Sequence, residues 1–251
     1  LPGVGGGMMI EQPFSSRVLA MAGGFDFGLD SFNRATQAQR QPGSTIKPFV
    51  YATGLDNGMP PATMVPDQAF CVYQGANLGQ KCFKNFDNRG AGGIHTMRWG
   101  LETTVAQMVN AYAALAYNGV QHAQTLIDYV QDRNGRVIWR ADERACNGCS
   151  MPDWDGKPMP RFAPRGKQVM DARTAYQTVH MLEGVVQRGT AVTLRDLGLP
   201  LFGKTGTTSG PTNVWFVGGS QNIVGGVYIG YDQPRSLGGY AQGGTYAAPI
   251  F

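Results

Sequence analysis

Gln41-Pro42-Gly43-Ser44-Thr45-Ile46-Lys47-Pro48 is the stretch on which the reading of this chain turns. Pro-Gly is turn chemistry, and the residues after it have the character of a helix start. Ser44 and Lys47 then fall three residues apart on one helix face. A serine hydroxyl is a weak nucleophile until a neighbour takes its proton, and a lysine can do so only where burial or nearby positive charge lowers its pKa. Such a proton transfer is worth about 10²–10⁴ in rate. Alone, S-x-x-K is weak evidence, since roughly one chance match is expected in a chain of this size. Ser44 could equally be a helix cap, a role that serine fills well.

A second string, Lys204-Thr205-Gly206-Thr207-Thr208, follows Leu199-Pro200-Leu201-Phe202-Gly203 and precedes the strand-like Val214-Trp215-Phe216-Val217. On a strand, Lys204 and Gly206 point the same way, so a cation and an open patch of backbone line one cleft. Gly206 lets another main chain approach closely, while Thr205 and Thr207 add hydroxyl donors suited to a carboxylate. The plainer reading is a solvated polar loop.

Around these strings the chain divides into recognisable elements. Met8-Met9-Ile10 and Arg17-Val18-Leu19-Ala20-Met21, joined by a turn containing Pro13 and Ser15, predict a hairpin. Val214 to Val217 and Ile223 to Ile229, joined by Ser220-Gln221-Asn222, predict another. Both must bury apolar faces, which points to one shared antiparallel sheet. Helices are expected over Thr45 to Leu55, Thr103 to Tyr117 and Ala172 to Gln187. In the second, Val105, Met108, Val109, Tyr112 and Leu115 recur at helical spacing and mark a core face rather than a ligand box. Cys146 to Gly166, with Pro152, Pro158, Pro160 and Pro164, reads as a long loop. There is no internal repeat.

With 251 residues, 42% of them hydrophobic, the chain can bury one substantial core. Its 36 glycines and 15 prolines are spread among apolar runs, so disorder fits poorly. The 21 basic residues exceed the 17 acidic ones but form no stripe with interleaved aromatics, which argues against nucleic acid; the plain reading is a solvated surface that happens to be basic, and mild attraction to an anionic polymer is the alternative. No apolar run is long enough to span a membrane, and Leu1-Pro2-Gly3-Val4 does not open a signal peptide; an anchor or signal could lie upstream. Cys71, Cys82, Cys146 and Cys149 allow three disulfide connectivities. Free thiols are a second reading. Zinc is a third, weakened because only one C-x2-C is present and His95, His122 and His180 lie at no metal-ligand spacing.

S-x-x-K followed by K-T-G is the pairing found in class A β-lactamases and penicillin-binding proteins. Beyond these motifs, Phe32-Asn33-Arg34-Ala35-Thr36 through Pro48, Gly184-Val185-Val186-Gln187-Arg188-Gly189-Thr190-Ala191, and Gly203 to Thr208 followed by Trp215-Phe216-Val217-Gly218 resemble class A penicillin-binding proteins, the 1A group most of all. The similarity runs from about Met8 to Phe251, so residues 1–251 are expected to form one penicillin-binding transpeptidase domain.

The resemblance implies an α/β fold in the broad (α+β) sense, penicillin-binding and serine β-lactamase-like. A helical cluster would pack on an antiparallel sheet, with the site between the sheet edge and the Ser44 helix. It implies a peptidoglycan D,D-transpeptidase: Ser44 attacks the carbonyl between the last two D-alanines of a stem peptide and Lys47 is its base. The N–H groups of Ser44 and Thr207 form an oxyanion hole, a contact worth about 3–4 kcal/mol in acyl transfer. Lys204, Thr205, Gly206 and Thr207 form the substrate-binding strand, with the lysine and threonines holding the terminal carboxylate. D-alanine leaves and a neighbouring stem peptide's amine takes the acyl group; β-lactams acylate the same serine.

No cofactor or metal is implied. The parent protein is expected at the periplasmic face of the inner membrane, anchored and carrying a glycosyltransferase domain outside these residues. In that compartment the cysteines are expected as the local pairs Cys71–Cys82 and Cys146–Cys149.

One feature departs from the family. An S-x-N motif belongs between the other two, its serine relaying protons and its asparagine binding the substrate amide. Ser31-Phe32-Asn33 and Ser220-Gln221-Asn222 lie in the wrong order. His95 to Glu102 resembles the stretch leading into the motif and Thr103 to Tyr112 one several dozen residues beyond it, yet the two are joined directly. Either residues are omitted at 102/103 or a catalytic element is lost. The rivals are thus a non-catalytic β-lactam sensor or scaffold domain, and a serine β-lactamase or D,D-carboxypeptidase that passes the acyl group to water.

Overall fold

Hairpins from the two ends of the chain pair with each other, as their apolar faces require. The computed structural model describes residues 3–28, 30–63, 70–73, 79–83, 103–141, 156, 166–208 and 210–251. The elements in chain order are strands β1 (Gly5–Gln12) and β2 (Arg17–Ala22), helix α1 (Lys47–Asp56), strands β3 (Phe70–Tyr73) and β4 (Gln80–Phe83), and helix α2 (Val105–Ala116). Strands β5 (Val120–His122), β6 (Tyr129–Gln131), β7 (Val137–Arg140) and β8 (Gly166–Gln168) follow, then helix α3 (Ala172–Arg188) and strands β9 (Phe202–Thr207), β10 (Asn213–Gly219) and β11 (Val224–Gly230).

The main sheet is antiparallel in the order β2-β1-β11-β10-β9. Its first strand is longer than the Met8–Ile10 run suggested, because β11 pairs with it from Gly5 opposite Gly230 to Glu11 opposite Val224. Glycines 5–7 carry no side-chain pattern, and the ladder alone makes them strand. Every residue of β10 is buried, so the sheet is covered on both faces. On one face Met9, Trp215, Val217 and Tyr228 pack with the α2 stripe of Val105, Met108, Val109, Tyr112 and Leu115. On the other, Phe216 and Val227 pack with Val186 of α3, Leu194, Ala247 and Ala248. Burying each of these large side chains is worth about 1.5–3 kcal/mol.

Helix α2 starts at Val105, two residues after the Thr103 start the sequence suggested, because a capping box at Thr104 sets its first turn. The Thr104 hydroxyl accepts from Gln107 N at 3.2 Å, and the Gln107 side chain accepts from Thr104 N at 3.0 Å. Helix α1 is tied to α3 by a hydrogen bond from Thr174 to the Asp56 carboxylate. Among the described residues one carboxylate lies wholly inside: Glu11 on β1 accepts from Ser16 Oγ (3.1 Å), Asn110 Nδ2 (3.4 Å) and Gln124 Nε2 (2.5 Å). Burial outweighs these bonds and raises its pKa above the ordinary value.

Three short strand pairs, β3–β4, β5–β8 and β6–β7, had no clear sequence signal. The first sets Cys71 opposite Cys82 in backbone register, and Cys71 is disulfide-bonded. Cys146 and Cys149, most of the proline-rich loop, and the join up to Glu102 lie outside the described residues.

Candidate active site

Pro42 and Gly43 turn the chain against the open edge of the sheet. Gly43 has φ of 56°, and a Cβ there would lie 3.0 Å from Thr207 O and 3.1 Å from Thr207 N, so both conformation and space call for glycine. Ser44 lies in a 3₁₀ turn, Gly43–Ile46, and Lys47 opens α1, whereas the sequence suggested one continuous α-helix. Proline explains the difference. Pro48 has no N–H to give the Ser44 carbonyl, so the Lys47 N–H bonds it instead, an i→i+3 closure. Residues i and i+3 eclipse in a 3₁₀ turn, so Ser44 and Lys47 still share a line.

Across from this turn runs β9. A Cβ on Gly206 would meet Pro42 O at 2.4 Å and Thr45 Cγ2 at 3.0 Å. Only an unsubstituted position lets the Ser44 turn sit this close. Lys204, on the same face, donates to Thr205 O at 3.1 Å. Its pKa is pulled from the ordinary 10.5 to about 8, first by burial and then by the nearby Lys47 cation. Lys47 itself is exposed. No hydrogen bond joins its amine to the Ser44 hydroxyl, and such pairs commonly tighten only around a substrate.

The threonines of β9 face the other way from Lys204 and Gly206. Thr205 is buried, with its hydroxyl 2.6 Å from that of Thr190. Thr207 Oγ1 accepts from Gly243 N at 3.1 Å, which leaves its own proton to donate outward. Thr208 N–H turns inward to Asn213 O at 3.1 Å, so by strand alternation the Thr207 N–H points off the open edge, toward the Ser44 turn. The structure therefore brings Ser44, Lys47, Lys204, Gly206 and Thr207 to one place, with Thr205 behind them in contact with Thr190. An outward backbone donor at Thr207, a hydroxyl at Ser44 and two lysines that repel each other are equipment for acyl transfer. Among the described residues no three His, Cys, Asp or Glu side chains gather where they could hold a metal.

Sequence reasoning assigned no role to several residues that build this site. Trp215 Nε1 donates to Gln41 O at 3.0 Å and Tyr112 Oη to Thr45 O at 2.8 Å, yet both read simply as core aromatics. Thr103 pairs with Arg40 through two backbone hydrogen bonds, so the residue after the 102/103 join lies beside the approach to Ser44.

The sequence pattern of the penicillin binding protein transpeptidase domain matches this chain over two overlapping stretches, residues 6–99 and 63–251. The chain belongs to that family. It is similar to penicillin-binding protein 1A of Rickettsia prowazekii, with 33% identity over 297 aligned positions that take in 100% of this chain and 38% of the relative. Penicillin-binding protein 1A of Neisseria flavescens is 34% identical over 280 positions, covering 93% of this chain and 33% of that protein. The transpeptidase chain thus spans less than half the length of these relatives.

Among solved structures, penicillin-binding protein 1A from Haemophilus influenzae superposes with a TM-score of 0.79 at 22% identity, over 97% of this chain and 46% of that one. The PonA1 protein from Mycobacterium tuberculosis in complex with penicillin V gives 0.69 at 19%, over 93% and 72%. At these identities the likeness establishes the fold, a penicillin-binding transpeptidase sheet with helices packed on it.

Proposed function

We propose that this domain is a serine-type D,D-transpeptidase that cross-links peptidoglycan stem peptides and is acylated by β-lactams at Ser44. The observation that carries the reading is the seating of the Ser44 turn against the outward N–H of Thr207, with Lys47 and Lys204 within electrostatic reach of each other. In the first half-reaction Ser44 Oγ bonds to the carbonyl carbon of the penultimate D-alanine, and its proton passes to the Lys47 amine. The oxyanion forms against the Ser44 and Thr207 N–H groups. It collapses as the C–N bond breaks, and Lys47 returns the proton to the departing D-alanine amine. In the second half, the acceptor amine bonds to the ester carbon, gives a proton to Lys47, and Ser44 leaves and is reprotonated.

Lys204 holds the terminal carboxylate. A bound anion stabilises its ammonium and so raises a pKa that otherwise stands near 8. Thr207 donates to the same carboxylate, and Thr205 supports it through Thr190.

Both flanks of the 102/103 join support a segment carrying S-x-N in the complete polypeptide. Relatives align over 297 positions against 251 residues here, and Thr103 sits where such a segment would enter the site. The parent protein is proposed to be membrane-anchored and extracytoplasmic, with a glycosyltransferase domain beyond these residues and peptidoglycan stem peptides as partners. Cystines Cys71–Cys82 and Cys146–Cys149 suit that compartment.

The test is a stem pentapeptide ending in D-Ala-D-Ala, given with and without a stem-peptide amine acceptor. Release of D-alanine with a new amide product, together with a long-lived penicilloyl adduct, is expected. Fast hydrolysis of the adduct would assign a β-lactamase, and acylation without any D-alanine release would assign a sensor.

A further inference from the structure

We infer that Tyr112 and Trp215 are positioning residues for acylation: two buried donors, one from the helical layer and one from the sheet, hold the nucleophile turn at the carbonyls on either side of Ser44. The inference rests on the proposed role of Ser44. Trp215, fully buried on β10 directly opposite Gly206, donates to Gln41 O at 3.0 Å. Tyr112, fully buried on α2, donates to Thr45 O at 2.8 Å. Between these points, Thr45 N and Oγ1 close the turn on Pro42 O at 3.3 and 2.8 Å. The carbonyls of Gln41, Pro42 and Thr45 are thus each engaged by a buried donor.

Such a clamp has a physical purpose here. A 3₁₀ turn has poorer hydrogen-bond geometry than an α-helix and is less rigid on its own. The oxyanion hole needs the Ser44 N–H on the turn and the Thr207 N–H on the strand to stay in fixed relation, and a misplacement of about 1 Å in such a site can lower the rate about 10²-fold. Trp215 belongs to β10, so its bond references the turn, through the β9–β10 ladder, to the strand that carries Thr207. Tyr112 references the same turn to α2, with its ring held edge-on to Phe49 at 5.5 Å. Burial pushes the Tyr112 phenol well above its ordinary pKa of 10, so it remains a donor at every working pH. Neither side chain is placed on the reacting atoms; both act through the backbone of residues 41–45.

The experiment separates binding from chemistry in the full chain with a fluorescent penicillin by stopped flow. Tyr112→Phe keeps the ring and removes the donor. It is expected to lower the acylation rate constant about ten- to a hundredfold while the dissociation constant of the pre-covalent complex stays within about twofold. Replacing Trp215 by benzothienylalanine, which has the same shape without the N–H, is expected to do the same and serves if the phenylalanine variant does not fold. Val186→Ala, in the opposite core cluster, is the control: it should lower the melting midpoint and leave the acylation rate constant unchanged. Unchanged acylation in both donor-less variants, or losses that merely track thermal stability as set by Val186→Ala, overturns the inference. Mapping the label in the parent protein keeps the two claims apart, because label away from Ser44 defeats the nucleophile assignment whatever the variants do.

Discussion

Lys204 offers the most quantitative handle on the site. Its amine titrates near 8 instead of 10.5, a destabilisation of the charged form by about 3 kcal/mol. Burial is the larger cause and the Lys47 cation the smaller. Replacing Lys47 by Met removes only the second, so the Lys204 pKa should rise from about 8 but to no more than about 9. Labelling lysine at the ε-carbon and following the Lys204 resonance by NMR titration measures this directly, with the Lys204→Arg spectrum as assignment. No movement on removing Lys47 would mean that the two lysines do not face each other. A return to 10.5 would mean that burial contributes nothing. Either result refutes the electrostatic description of Lys204.

The same pKa shift has a stability consequence. Between about 8 and 10.5 the unfolded chain binds more protons than the folded one, so the Lys204 contribution to stability rises with pH across that window and should vanish in Lys204→Met, as denaturant melts at several pH values would show. Glu11 carries the opposite slope: its raised pKa means that stability is lost as pH climbs from 4.5 through the folded-state value, and Glu11→Gln should flatten that part of the profile. Lys47→Ala should slow acylation at every β-lactam concentration, whereas Lys204→Ala should weaken ligands bearing a carboxylate more than their neutral esters; equal losses for both ligand types count against the anchor. Intact mass and tryptic mapping decide the join: a mass above 27.0 kDa with Glu102 followed by residues other than Thr103 supports an omitted S-x-N segment, and an intact peptide from Trp99 to Val105 counts against it.

Much of the fold is legible in the amino-acid sequence. The α2 stripe from Val105 to Leu115 and both terminal hairpins were set by apolar periodicity, which acts locally and leaves a local trace. Gly43 and Gly206 were visible as turn and approach residues, although what they approach was not, because Pro42 and Thr207 are brought together by the packing of a turn on a distant strand. The clamp from Tyr112 and Trp215 had no sequence signal of its own, since a buried aromatic that donates one hydrogen bond has the same pattern as one that does not. The 3₁₀ character at Ser44 could have been inferred from Pro48, whose missing N–H falls four residues after the serine carbonyl. Glu11 could not: a carboxylate in a strand-turn junction reads as solvated until Asn110 and Gln124 close over it.

The central claim is that the acyl group is carried by Ser44. Labelled penicillin, tryptic digestion and mass mapping should place one penicilloyl group on the peptide containing Gln41-Pro42-Gly43-Ser44-Thr45-Ile46-Lys47, and Ser44→Ala should abolish it. Label on a different serine, or undiminished labelling of Ser44→Ala, would contradict the account.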